Sequence, residues 1–152
     1  MEFLAEIHTK VIHFPIAFLM LYPIVELLFL VTKKDFFSKT VFMFLVIGVI
    51  CSFFAVLSGN QAFEVLKNIS DKSKFLFNEH QTYANITVWY FTFLLVGRYF
   101  LFIRKKLNTK IVFVFLVLGI VGSFLVYQTG NYGGKFANQV HSEKYESGSL
   151  IK

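Results

Sequence analysis

The stretch VIHFPIAFLMLYPIVELLFLV, residues 11–31, decides the fold. It is apolar throughout except at His13 and Glu26. About 20 such residues are enough for a helix to cross the hydrocarbon core of a bilayer. Three further runs of the same kind lie at about 40–57, 82–103 and 111–127. Of the 152 residues, 56% are hydrophobic, 19% are aromatic and 21 are Phe, with mean hydropathy +0.63. That composition excludes an ordinary soluble domain. The expectation is one all-α membrane domain over 1–152, a bundle of four transmembrane helices with an outer loop at 58–81 and a polar tail at 128–152. Within the loop, Gln61–Ile69 reads as a short amphipathic helix carrying Ala62, Phe63, Val65, Leu66 and Ile69. The tail, rich in Gly and Ser after Tyr132, is expected to be partly disordered. No basic segment precedes the first run and lysines follow it, so it reads as a span and not a cleavable signal peptide. The single cysteine, Cys51, lies in an apolar run and reads as a small packing residue.

The net charge of +6 suggests nucleic acid until its distribution is examined. Lys33, Lys34, Lys39, Arg104, Lys105, Lys106 and Lys110 fall in two short links, offset only by Asp35, so these links hold the whole excess. The remaining loops and termini sum to zero. This is the pattern of cytoplasmic loops in a multi-pass protein. It predicts both termini outside, lipid as the surrounding partner and no nucleic acid. His8, His13, His80 and His141 would then all fall on the outer side.

The two halves repeat. Gly48, Ser52, Phe53, Ser58, Gly59 and Asn60 match Gly119, Ser123, Phe124, Thr129, Gly130 and Asn131 at an offset of 71. For the first helix of each half the offset is 72, which maps His8 onto His80, His13 onto Asn85, Glu26 onto Arg98, and Lys33-Lys34 onto Lys105-Lys106. The reading is a duplicated helical hairpin with a pseudo-two-fold axis along the membrane normal. Glu26 and Arg98, at equivalent depth, are expected to form an interhelical ion pair, because lone charges there are costly. The plainer alternative has Arg98 snorkelling and Glu26 neutral. Gly48, Ser52, Gly119, Gly122 and Ser123 are candidates for close helix packing. Pro23 is expected to kink the first span.

The histidines carry the candidate chemistry. His8 and His13 are five residues apart, about 140° around a continuous helix, so they would not share a face. Pro15 suits a helix's first turn, which allows a helix start near His13 with His8 on a separate segment that folds back. His80 precedes the third span. Neutral imidazoles converging at a bundle mouth suit a b-type haem iron, or a copper or zinc ion. His13 and His80 are the preferred ligands and His8 the close alternative; the competing reading makes His13 and His80 helix caps. His141, in the polar tail, reads as a bystander. No catalytic residue is assigned, since no Gly-x-Ser-x-Gly or Cys-x-x-Cys pattern occurs. The Asn68-Ile69-Ser70 and Asn85-Ile86-Thr87 glycosylation patterns are set aside. Tyr83, Trp89 and Tyr90 suit the interfacial aromatic belt.

At His8 and His13-Phe14-Pro15-Ile16-Ala17 the chain resembles a family of predicted bacterial membrane proteins, domain of unknown function 2231. The resemblance continues at Ser58-Gly59, His80, Gly119, Gly122, Leu125-Val126-Tyr127 and Gly130, nearly the whole chain. Members are four-helix membrane proteins, some fused to cytochrome c-like or Rieske-type domains, which implies redox work. Two positions depart from the family pattern: Thr9 replaces a common proline, and Thr129 replaces a common histidine. The expected function is a small membrane electron-transfer subunit with a haem b site at its outer face. The alternatives are a non-catalytic scaffold or partner-binding subunit of a larger membrane complex, and a copper or zinc protein. A redox partner and homo-oligomerisation stay open.

Overall fold

The computed structural model describes residues 2–64, 66 and 69–149, with side chains over 7–64, 66 and 69–145. Five helices follow in order: α1 Glu2–Val11, α2 His13–Thr32, α3 Asp35–Glu64, α4 Asp71–Ile103 and α5 Thr109–Ser149. No strand occurs among the described residues. Four stretches, Ile7–Thr32, Asp35–Glu64, Asp71–Ile103 and Thr109–Tyr145, are long and apolar enough to cross a membrane. The chain is a multi-pass membrane protein built as an all-α four-helix bundle.

Local chemistry sets the helix ends. Pro15 sits in the first turn of α2, where its missing N–H costs nothing. Lys33 ends α2 in the left-handed region at φ 54°, its N–H closing on Phe29 O at 2.8 Å. Lys105 repeats this after α4 at φ 52°. Ser70 caps α4, its Oγ accepting from Ser73 N at 3.2 Å, and Asn108 Oδ1 accepts from Ile111 N at 3.0 Å at the start of α5.

The helices form two hairpins, α2–α3 and α4–α5. Each of α2 and α4 packs against both α3 and α5, so α2 faces α4 across one diagonal and α3 faces α5 across the other. That is the arrangement a pseudo-two-fold axis between the hairpins requires. Leu19, Tyr22, Leu45, Val49, Phe91, Leu94 and Phe115 fill the centre, while Phe54, Trp89, Phe93 and Phe124 point outward. An apolar perimeter of this kind is unfavourable in water and natural in lipid. Glycines let the helices close on one another. A Cβ on Gly119 would lie 2.7 Å from Tyr22 Cε1, and one on Gly122 would lie 2.5 Å from Phe91 Cζ. Gly48 meets Leu19 in the same way. Ser52 and Ser123 donate to Gly48 O at 2.7 Å and Gly119 O at 3.1 Å, satisfying their hydroxyls inside their own helices. Pro23 is buried within α2.

The helices run beyond the apolar runs. The first span does not start at residue 11: α1 and α2 are nearly continuous, Ile12 N reaching His8 O at 3.1 Å and Ile16 N reaching Ile12 O at 3.4 Å. The region 58–81 is mostly helix, shared between the end of α3 and the start of α4. Of Gln61–Ile69, the residues to Glu64 continue α3 and Leu66 and Ile69 are not helical, while Val65, Lys67 and Asn68 lie outside the described residues. The tail is helical to Ser149, with Lys152 outside the described residues. Hydropathy marks only the lipid-embedded part of a helix. At 41 residues, α5 is about 60 Å long, twice the hydrocarbon thickness.

Candidate functional site

Where α1, α3, α4 and α5 extend past the core, they enclose a cavity of about 650 Å³. Its floor is Leu19 and Val88. Below them Tyr22 and Phe91 meet edge to face at 6.2 Å, both fully buried, and separate the cavity from the deeper core. Its roof is aromatic: Phe63 stacks on Phe77 at 3.6 Å, and Phe136 leans on both. Gln81 Nε2 donates to Asn60 Oδ1 at 3.1 Å across the α3–α4 side.

Two imidazoles enter this cavity from positions related by the repeat. His8 comes from α1 and His80 from α4. The His8 ring lies against Gly59, where a Cβ would come within 2.9 Å of its Cε1. The His80 ring lies against Gly133, where a Cβ would stand 3.0 Å from its Nδ1. Each Nδ1 is engaged. His80 Nδ1 donates to Thr129 O at 2.9 Å; a carbonyl only accepts, so the proton is on Nδ1. His8 Nδ1 lies 2.9 Å from Ser58 Oγ, which in turn stands 3.1 Å from Ala55 O; with the serine proton on that carbonyl, the serine accepts and His8 carries its proton on Nδ1. Ser58 and Thr129 are themselves repeat equivalents. A ring so held presents an unprotonated Nε2 when neutral, the form in which histidine binds a metal. Both rings line the same cavity.

His13 stands apart from this pair. It is exposed and does not line the cavity. The near-continuity of α1 and α2 preserves the helical rotation, which turns His13 away from the face that carries His8. His141 does line the cavity, although its place in a polar tail suggested a bystander; its ring packs edge-on against Tyr145 at 4.7 Å. Among the described residues no group of three His, Cys, Asp or Glu side chains could hold a metal ion. Cys51 is half-buried in α3 and outside the cavity.

Three features escape a reading of the sequence. The acceptors Ser58 and Thr129 are one. The glycines of α5 are another: Gly133 makes room for His80, while Gly130 and Gly134 line the cavity with nothing within 4 Å of where a Cβ would stand. The third is a clamp over the roof. Glu143 accepts from Ser70 N at 3.2 Å, from Ser73 Oγ at 2.7 Å, from Gln139 Nε2 at 3.0 Å and from Ser70 Oγ. This carboxylate ties α5 to the capped start of α4. Only the spacing of Gly130, Gly133 and Gly134, one helical face in a tail that looks disordered, hints at any of this.

At the other end of the bundle, Arg98 Nη1 donates to Glu26 Oε1 across the α2–α4 diagonal. Both residues are buried, and the guanidinium sits between the Phe29 and Phe115 rings at 5.4 and 5.5 Å. The expected pair is formed.

No curated protein and no solved structure matches the chain. A family model described as a predicted membrane protein, DUF2231, matches residues 5–144. That match spans the four helices, the cavity and its histidines, and the chain belongs to this family of membrane proteins.

Proposed function

We propose that the protein is a small membrane electron-transfer subunit whose histidine cavity would hold a b-type haem, with His8 and His80 as the residues that would bind its iron. One observation carries this reading. Each ring turns its Nδ1 to a built-in hydrogen-bond partner, Ser58 Oγ or Thr129 O, and so leaves its Nε2 for a ligand at one cavity. The space supports it: about 650 Å³ lies within the range of cofactor pockets, and Gly130 and Gly134 leave a flat wall that a Cβ would fill. The donor count also favours haem over zinc or copper. A metal ion held by protein alone needs three or four ligands, whereas haem brings four nitrogens and asks the chain for two.

Bound there, the haem would supply one-electron redox chemistry. The residues supply the rest. Ser58 and Thr129 orient the imidazoles and raise their basicity. The Phe63, Phe77 and Phe136 roof and the Leu19 and Val88 floor exclude water. With the basic links facing the cytoplasm, the cavity opens toward the outer face of a bacterial inner membrane.

The test is the visible spectrum of detergent-purified full-length protein from haem-replete cells. A Soret band is expected, abolished by His8→Ala and by His80→Ala and retained by His13→Ala. A colourless preparation, or a band indifferent to His8 and His80, refutes the reading.

A further inference from the structure

The end of the bundle opposite the cavity gathers the charge that no ion pair among the described residues uses. Lys33, Lys34, Lys39, Arg104, Lys105, Lys106 and Lys110 are all exposed there, with Asp35 the one acid among them. None makes an ion pair among the described residues; the pairs formed are Lys74–Asp71 and Arg98–Glu26. The repeat places the cations as two equal grips, since Lys33-Lys34 and Lys105-Lys106 are equivalent and Lys33 and Lys105 share the same left-handed turn at φ 54° and 52°. Apolar side chains stand directly beside them: Val31, Phe36, Phe100 and Ile103 are 72%, 69%, 54% and 57% exposed. Arg104 lies over the Phe100 ring at 5.2 Å, holding a guanidinium at the edge of that apolar band. A surface of unpaired cations bordered by lipid-facing aromatics meets a ligand with a phosphate at one end and acyl chains at the other.

We propose that this end is a binding surface for anionic phospholipid, gripped through its headgroup phosphate by Lys33-Lys34 and Lys105-Lys106 and through its chains by the adjoining apolar side chains. The surface selects for net negative charge, so a phosphatidylglycerol headgroup binds and a zwitterionic phosphatidylcholine does not. Each lysine near such a surface contributes about a fivefold preference, so the four turn lysines together contribute roughly two to three orders of magnitude at low salt.

The experiment is native mass spectrometry of the delipidated full-length protein in detergent, offered equal amounts of dioleoyl phosphatidylglycerol and dioleoyl phosphatidylcholine. Wild type is expected to retain phosphatidylglycerol preferentially. The variant Lys33→Gln/Lys34→Gln/Lys105→Gln/Lys106→Gln should lose the preference, and the corresponding Lys→Arg variant should keep it. Neutralising Lys72, Lys74 and Lys135, at the opposite end, should leave it unchanged. Excess inorganic phosphate should not displace the lipid, because it lacks the chains. Equal retention of both lipids by wild type, an unaltered preference in the Gln variant, or displacement by phosphate alone would each overturn the assignment.

Discussion

Arg98→Met removes the guanidinium and keeps an unbranched apolar stem between Phe29 and Phe115. In the native bundle Glu26 is 0% exposed and Arg98 1% exposed. Glu26 Oε2 and Arg98 Nη2 already lack hydrogen-bond partners, so the hydrogen bond from Nη1 to Oε1 is what holds the two charges together. The variant strands a carboxyl group in an apolar interior. Breaking a buried pair on one side costs about 3–5 kcal/mol, whereas replacing both partners with apolar groups of similar volume is near neutral. Arg98→Met and Glu26→Met should therefore each be destabilised by that amount and Glu26→Met/Arg98→Met by far less, giving a coupling energy of at least about 3 kcal/mol. The repeat adds a sharper expectation. The two positions are equivalent on the α2–α4 diagonal, so the swap Glu26→Arg/Arg98→Glu should recover much of what Glu26→Arg loses. Equilibrium unfolding in mixed detergent micelles measures all six proteins. Additive single-variant losses, or a swap no better than Glu26→Arg alone, would refute a pair that bridges the diagonal.

Three other expectations concern the cavity end. Ser58→Ala removes the acceptor of His8 Nδ1–H, so ¹⁵N shifts of the haem-free protein should show His8 losing its single Nδ1–H tautomer while His80, held by a backbone carbonyl, keeps its own. Gly133→Ala, whose Cβ would stand 3.0 Å from His80 Nδ1, should cost about 1–3 kcal/mol, whereas Gly134→Ala, with open space around its Cβ, should gain up to about 1 kcal/mol in thermal unfolding and narrow the cavity. Glu143→Ala frees the Ser70 amide and the Ser70 and Ser73 hydroxyls, and hydrogen exchange should accelerate at residues 69–73 while the Gly48–Phe53 segment of α3 stays protected.

Membrane spans are legible because immersion in lipid is a local demand. Each crossing must carry its own apolar run, and residues 11–31 declare one without reference to the rest of the chain. The repeat is legible for a related reason: equivalent positions keep equivalent side chains, which is how Glu26 and Arg98 could be paired before any contact was known. The cavity is different. Whether His8 or His13 faces His80 depends on whether the helix runs through Ile12, and Pro15 made a break there equally reasonable. The continuity is decided by the docking of α1 on α3, whose partners Ser58 and Gly59 lie some fifty residues away. The tail from 128 to 149 reads as polar and glycine-rich, and local propensity is against a helix there. Helix holds because Gly133 admits the His80 ring, Phe136 joins the aromatic roof and Glu143 clamps Ser70, contacts absent from any local window. The sequence by itself thus determined the solvent each segment requires, the number of crossings and the symmetry of the halves. Only the tertiary structure decided which histidines meet and what holds their protons, because those depend on packing between segments far apart in the chain.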